Sequence, residues 1–198
     1  MAKVLLAHGA SRSATDKAGR SVMYYAARQG AGNLFHDPGS YAGKTILGET
    51  LLHAALAGGD LKLSRELIGK GLGVKEATAD GRTLMHYARG QLAVLMLLDL
   101  GLDVNARDVG GRTPLHAVVI DIVEGARRGR PVPGADSSEY ETAQALIAAG
   151  ADIAAADQGG VTPAGWYASK PPRAVPARKG AKPQAPPPDP WITLLAPR

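Results

Sequence analysis

Cysteine is missing from this chain, and phenylalanine occurs once. Without thiols there is no disulfide framework, no thiolate zinc site and no cysteine nucleophile. Aromatic residues make up only 5% of the chain against 45% apolar residues overall, so a core has to be built from Leu, Ala, Val and Ile. That mixture favours closely packed helices over a β-sandwich. No apolar run approaches the roughly 20 residues of a membrane span. The stretch before Gly9 is too short for a signal-peptide core of about 7–15 residues. The expectation is a cytoplasmic protein with no membrane partner.

An excess of one charge is also missing from most of the chain. The net charge is +5. Residues 1–169 nevertheless carry 17 basic and 17 acidic side chains, whereas 170–198 carry six basic and one acidic, so the tail holds the whole excess. A neutral globular part argues against a basic face made for nucleic acid. Nucleic-acid binding through the basic tail is therefore the weaker reading.

Catalytic signatures are absent as well. There is no Gly-x-Ser-x-Gly elbow, no phosphate-cradling Gly-x-x-x-x-Gly-Lys-Ser/Thr loop and no His-Glu-x-x-His. Five histidines occur, but His8 and His36 lack acidic residues at ligand spacing. His53, His86 and His116 recur about every 30 residues, with no second His or Cys ligand at metal-binding spacing beside any of them. Asp121 and Glu124 fall on one helix face and read as a solvated pair. A non-enzyme without cofactor or metal is the expectation.

What the chain does have is a repeat. Gly9, Gly71, Gly101 and Gly150 are each followed 12 residues later by Ser21, Thr83, Thr113 and Thr162. A blurred copy runs from Pro38-Gly39 to Thr50. Each Gly ends an apolar helical run, such as Leu97-Leu98, in the place of a left-handed residue that closes a helix. Each Thr opens the next helix, and Thr113-Pro114 and Thr162-Pro163 pair a capping hydroxyl with Pro at the first helical position. Between them lies turn chemistry, as in Asp103-Val104-Asn105-Ala106-Arg107-Asp108-Val109-Gly110-Gly111.

These residues carry a resemblance. "TPLHAVV" from Thr113, "ETLLHAALAGGD" from Glu49, "GRTLMHYA" from Gly81 and "LGLDVNARDVGGRTPLH" from Leu100 resemble the ankyrin repeat over about Ala2 to Ala168. The resemblance implies an all-α solenoid of about five helix-turn-helix units with short hairpin-like fingers. It also implies a repeated structural histidine that braces the turn. No single unit buries its apolar face, so neighbours supply the core.

The departures from regularity predict where this array is particular. The ankyrin-repeat domain spans 1–169 and opens on a half repeat at 1–15. Either that first helix closes the array or an upstream segment completes it. The unit from Thr83 is about three residues short near Arg89-Gly90, so its inner helix should be short. An irregular loop is expected around His36 to Tyr41. An insertion of about 123–138 joins inner to outer helix in the unit from Thr113 and carries Arg127, Arg128 and Arg130. The tail, 170–198, is Pro-rich and basic, with nine of the 14 prolines between Pro171 and Pro197. It should be extended. Its apolar end, Pro190-Trp191-Ile192-Thr193-Leu194-Leu195, either packs back as a cap or serves as a linear motif.

Binding in such arrays uses finger tips and the inner-helix face, as the resemblance implies. The matching residues here are Lys17, Arg20, Tyr24, Arg28, Asp80, Arg82, Arg89, Arg112, Asp121 and Trp166. Arg20, Arg82 and Arg112 stand at equivalent positions and should align as a stripe. Arg forks suit carboxylates, so the expected partner is a protein with an acidic surface patch. Tyr25 and Tyr87 should be partly buried between units. The composition, rich in Ala, Gly, Arg and Pro, suggests a GC-rich bacterial genome. The functional expectation is a protein-binding module of inhibitor or immunity type that neutralises a toxin. A host effector or regulatory adaptor is the alternative.

Overall fold

The computed structural model describes residues 11, 14–30, 43–169 and 189–196. The expected half repeat and irregular loop, His8, His36 and most of the Pro-rich tail lie outside them. The described residues contain no strand, only helices, turns and an isolated bridge between Thr15 and Ser21.

The helices are α1 (Val22–Arg28), α2 (Leu51–Ala57), α3 (Leu61–Gly69), α4 (Gln91–Asp99), α5 (Pro114–Arg127), α6 (Ser138–Ala148), α7 (Pro163–Ser169) and α8 (Pro190–Leu194), with a 3₁₀ turn at Leu84–Tyr87. Sequence sets these bounds locally. Thr50, Thr83 and Thr113 precede helical segments in extended conformation, and Pro114 takes the first helical position. Gly101, at φ +78°, follows α4 in the left-handed conformation that costs glycine least.

Packing runs along the stack. Inner elements contact in the order α1, α2, the 3₁₀ turn, α5 and α7, while α3, α4 and α6 lie behind them as outer helices. Leu52, Leu56, Leu67, Leu84, Met85, Val94, Leu97, Leu115 and Leu146 are fully buried along this seam. Such burial contributes about 2 kcal/mol per large side chain. The backbones also approach closely. A Cβ on Gly58, at the end of α2, would sit 2.1 Å from the carbonyl oxygen of Ala27 in the preceding unit.

Two local expectations meet a definite outcome. The inner element from Thr83 is a single 3₁₀ turn, short as the missing residues demand. The insertion, by contrast, is not a loop throughout. Helix α5 continues to Arg127 and α6 begins at Ser138, so only 128–137 connect them. The reason is apolar phase: Val119, Ile122 and Val123 keep one face of α5 buried past the usual end of an inner helix.

The chain end is ordered by an aromatic contact. Trp191 in α8 is fully buried and donates its indole N–H to the Pro133 carbonyl at 2.8 Å. Its ring meets Tyr140 edge-on at 5.1 Å and stacks on Tyr167 at 6.2 Å. The Tyr167 hydroxyl donates to Asp189 at 2.7 Å, and Asp189 also accepts from the Trp191 backbone as the cap of α8.

Candidate functional site

The turns between units form one continuous ladder. Each finger is a hairpin held by one backbone bond across its base, such as Thr78 N–H to Arg82 O and Asp108 N–H to Arg112 O, and a second inside the turn, such as Gly81 N–H to Thr78 O and Gly111 N–H to Asp108 O. Within it, a tight turn ends on a glycine of positive φ, an arrangement suited to a short hairpin loop. Gly111 shows why glycine is needed. Its φ is +74°, and a Cβ there would lie 3.0 Å from the Gln158 backbone nitrogen of the next finger. Neighbouring fingers are bonded by Ile46 N–H to Ala18 O, Ala79 N–H to Leu47 O, Val109 N–H to Asp80 O and Gln158 N–H to Gly110 O, at 2.7–3.0 Å.

The three recurring histidines brace this ladder from below. The backbone N–H of Thr50, Thr83 and Thr113 donates to Nδ1 of His53, His86 and His116 at 3.1, 3.2 and 3.2 Å. Nδ1 is therefore unprotonated and the hydrogen sits on Nε2. From there His86 donates to Arg112 O and His116 to Val161 O, each across to the next unit. His53 differs: its Nε2 is buried and meets no acceptor among the described residues. The equivalent carbonyl, Arg82 O, already accepts the Thr78 N–H and hydroxyl. Instead the His53 ring packs at 5.0 Å and 87° to Tyr87. Burial lowers the proton affinity of all three, His53 to a pKa of about 4. Among the described residues, no group of three or more His, Asp or Glu is placed to hold a metal ion.

The residues expected to bind a partner fall into different environments. Arg20 pairs with Asp16 at 3.2 Å and lies over the Tyr25 ring. Arg82 reaches Asp80 at 3.3 Å and Asp108 of the next finger at 3.4 Å. Arg112 lies over the Trp166 ring at 5.4 Å, and Trp166 donates its indole N–H to Asp157. The Arg stripe thus points along the array, each guanidinium engaged by its own or the next unit. Arg89 is clamped between Asp121 at 3.3 Å and Glu139 at 3.0 Å. With Arg28, Tyr87 and Thr142 these three line a groove of about 130 Å³ on the inner-helix side. Lys17 and Arg28 are exposed and make no ion pair with any described residue.

Tyr24 requires a correction. It is 5% exposed, and its hydroxyl is bonded to Glu49 at 2.6 Å, so it presents no contact surface. Helix phase is the reason: α1 buries Met23, Tyr24 and Ala27 and turns Tyr25 and Arg28 outward. Tyr25, expected to be half-buried, is 42% exposed. Tyr87 is half-buried as expected and shares Glu49 with Tyr24. Burial, then Glu49, raises the pKa of both phenols.

The residues before the turn glycines also include Val109, which belongs to the expected finger-tip surface, but the sequence reading missed the apolar tip at Ile46 and Leu47. Ile46 is 73% exposed and Leu47 50%, and Val109 stands at 63% two fingers along. Extending the alignment of the two residues before each turn glycine to Gly48 finds it: Lys17-Ala18, Ile46-Leu47, Ala79-Asp80, Val109-Gly110 and Gln158-Gly159. The blurred unit before Thr50 obscured that register.

Comparison with known proteins agrees with this geometry. Residues 32–108 match a family model of ankyrin repeats, in three copies. The chain is 36% identical over 69 residues to a protein of Pyrobaculum aerophilum named for its ankyrin repeats. That stretch covers 34% of this chain and 26% of the relative. The chain thus spans about a quarter of the relative it matches. The fingers at Asp108–Arg112 and Asp157–Val161 continue the same bonding beyond the matched residues.

Proposed function

We propose that this chain, an ankyrin-repeat protein, is a non-catalytic module that binds another protein through its finger ladder and the adjoining inner-helix groove. Ankyrin repeats are in general protein-interaction units. The observation that carries the reading is the exposure of Ile46, Leu47 and Val109 on two fingers that are both hydrogen-bonded to the Ala79-Asp80 finger between them. Apolar tips on a rigid frame bury surface with little ordering cost. The exposed cations Lys17, on the first finger, and Arg28, in the inner-helix groove, suit an acidic patch on the partner. Arg20, Arg82, Arg89 and Arg112, already engaged internally, hold the surface in shape and offer their remaining donors.

The finer reading is an inhibitor or immunity protein that masks a toxin. It is supported by the exposed apolar finger tips, which suit covering a surface of a partner protein. An effector or adaptor engaging a host or cellular protein is the second reading. The test is quantitative capture from the native cell, followed by affinity measurement on the partner so identified. Ile46→Asp with Val109→Asp should weaken binding at least tenfold, about 1.4 kcal/mol, with unchanged circular dichroism. Lys17→Glu with Arg28→Glu should weaken it similarly if the partner is acidic. Full affinity in both variants with an intact fold sinks the proposal. An identified partner with enzymatic toxicity that the chain suppresses separates inhibitor from adaptor.

A further inference from the structure

Helix α4 is apolar on two sides. Ala93, Val94 and Leu97 face the core and are essentially inaccessible. Leu92, Leu95, Met96 and Leu100 form a second stripe at i, i+3, i+4 and i+8, with Leu92 60%, Leu95 44% and Leu100 37% exposed. A helix that is apolar all round belongs in an interior. The neighbouring outer helix α3 shows the ordinary pattern, with Lys62, Arg65 and Glu66 turned to solvent. The second stripe and Ile68 line a groove of about 460 Å³ between α3 and α4. Arg65 and Asp99 also line it, and neither makes an ion pair with any described residue. No residue of this groove belongs to the finger ladder or the inner-helix groove.

We propose that this groove seats α4 of a second copy of the chain, giving a two-fold symmetric dimer joined through its outer helices. Complementarity within one chain carries the choice of occupant. The groove is apolar and holds an unpaired cation; α4 is an apolar ridge that ends on an unpaired anion. In a two-fold contact each copy supplies both halves, so Arg65 of each faces Asp99 of the other. Any other helix would have to bring the same stripe and the same acid. The pairing of single short helices lies at the low end of interface sizes. Association in the range of about 10 µM is expected. The fingers of both copies stay free, so the dimer presents its partner-binding surface twice.

The experiment is light scattering after size exclusion over about 1 to about 200 µM chain. The expected result is a mass rising with concentration toward twice that of the chain. Leu92→Glu and Leu95→Glu, at exposed positions, should keep native circular dichroism and remain monomeric throughout. Arg65→Asp and Asp99→Arg should each weaken the dimer at least tenfold. Mixing these two variants should restore it, because each copy then faces an opposite charge. A wild-type monomer at the highest concentration overturns the proposal. So does a dimer indifferent to Leu95→Glu, or a monomer whose α4 stripe is protected from solvent by the chain's own remaining segments. A monomer that instead takes up a foreign helical protein through Leu92 and Leu95 assigns the groove to another occupant and equally overturns it.

Discussion

At the scale of single residues, the repeated Thr–His bracket joins sequence to assembly. One imidazole accepts a backbone N–H from its own unit, and in two cases donates to the next. Replacing His116 with Ala leaves the Thr113 N–H and the Val161 carbonyl short of a partner in a buried site. The expected cost is about 3 kcal/mol, read as a lower urea midpoint with the slope unchanged. The same residues predict a pH dependence. His53 titrates at 6.5 when unfolded and at about 4 when folded. Below 6.5 the unfolded chain takes up a proton that the folded chain refuses. Stability from this group is therefore complete above about 6.5 and declines as pH falls toward 4, by roughly 3 kcal/mol in all. His86 and His116 act in the same direction. Denaturant midpoints at pH 7 and pH 4.5 check this, and His53→Gln should flatten part of the slope. Gly58 makes a third prediction at this scale. Ala there meets the Ala27 carbonyl, so Gly58→Ala should lose about 2 kcal/mol or more by forcing α1 and α2 apart.

At the scale of elements, short sequence differences had uneven effects. The deletion near Arg89-Gly90 was legible because losing residues can only shorten a helix, and the unit from Thr83 is left with a 3₁₀ turn. The insertion was only half legible. Its Arg, Gly and Pro content reads as loop, but Ile122 and Val123 find a buried side and carry α5 on to Arg127. The tail end was a choice between packing back and reaching out, and no local signal decides it. In the structure a carbonyl at Pro133 and two tyrosine rings meet Trp191. We infer that α8 closes the last unit. Trp191→Ala should forfeit up to about 4 kcal/mol of docking. Hydrogen exchange should then become fast over 189–196 and rise in α6 and α7, while the finger amides from Thr45 to Arg112 stay protected. Unchanged exchange in α6 and α7 would show that the helix closes nothing.

For the molecule as a whole, the array architecture followed from the repeat of Gly, Thr and His. Those residues act on their own backbones, at helix ends, caps and turns, where physics is local and spacing suffices. A fold in which each unit meets only its neighbours adds little that is non-local. What spacing could not supply was the direction and occupancy of side chains at the seams. Arg20, Arg82 and Arg112 occupy equivalent positions in sequence, yet one pairs within its finger, one bridges to the next and one covers Trp166. Tyr24 and Tyr25 are adjacent and chemically alike, and only the rotation of α1 against α2 decides that Tyr24 is buried. The sequence by itself determined the helical repeat architecture, the helix starts at Thr50, Thr83 and Thr113 and the places of the three bracing histidines, because each rests on the backbone conformation of a few consecutive residues. Tertiary structure alone decided which charges remain free, which apolar residues stand on the finger tips and on the back of α4, and where Trp191 goes. Those depend on which surfaces two units bury against each other, and that quantity is defined only once the units are stacked.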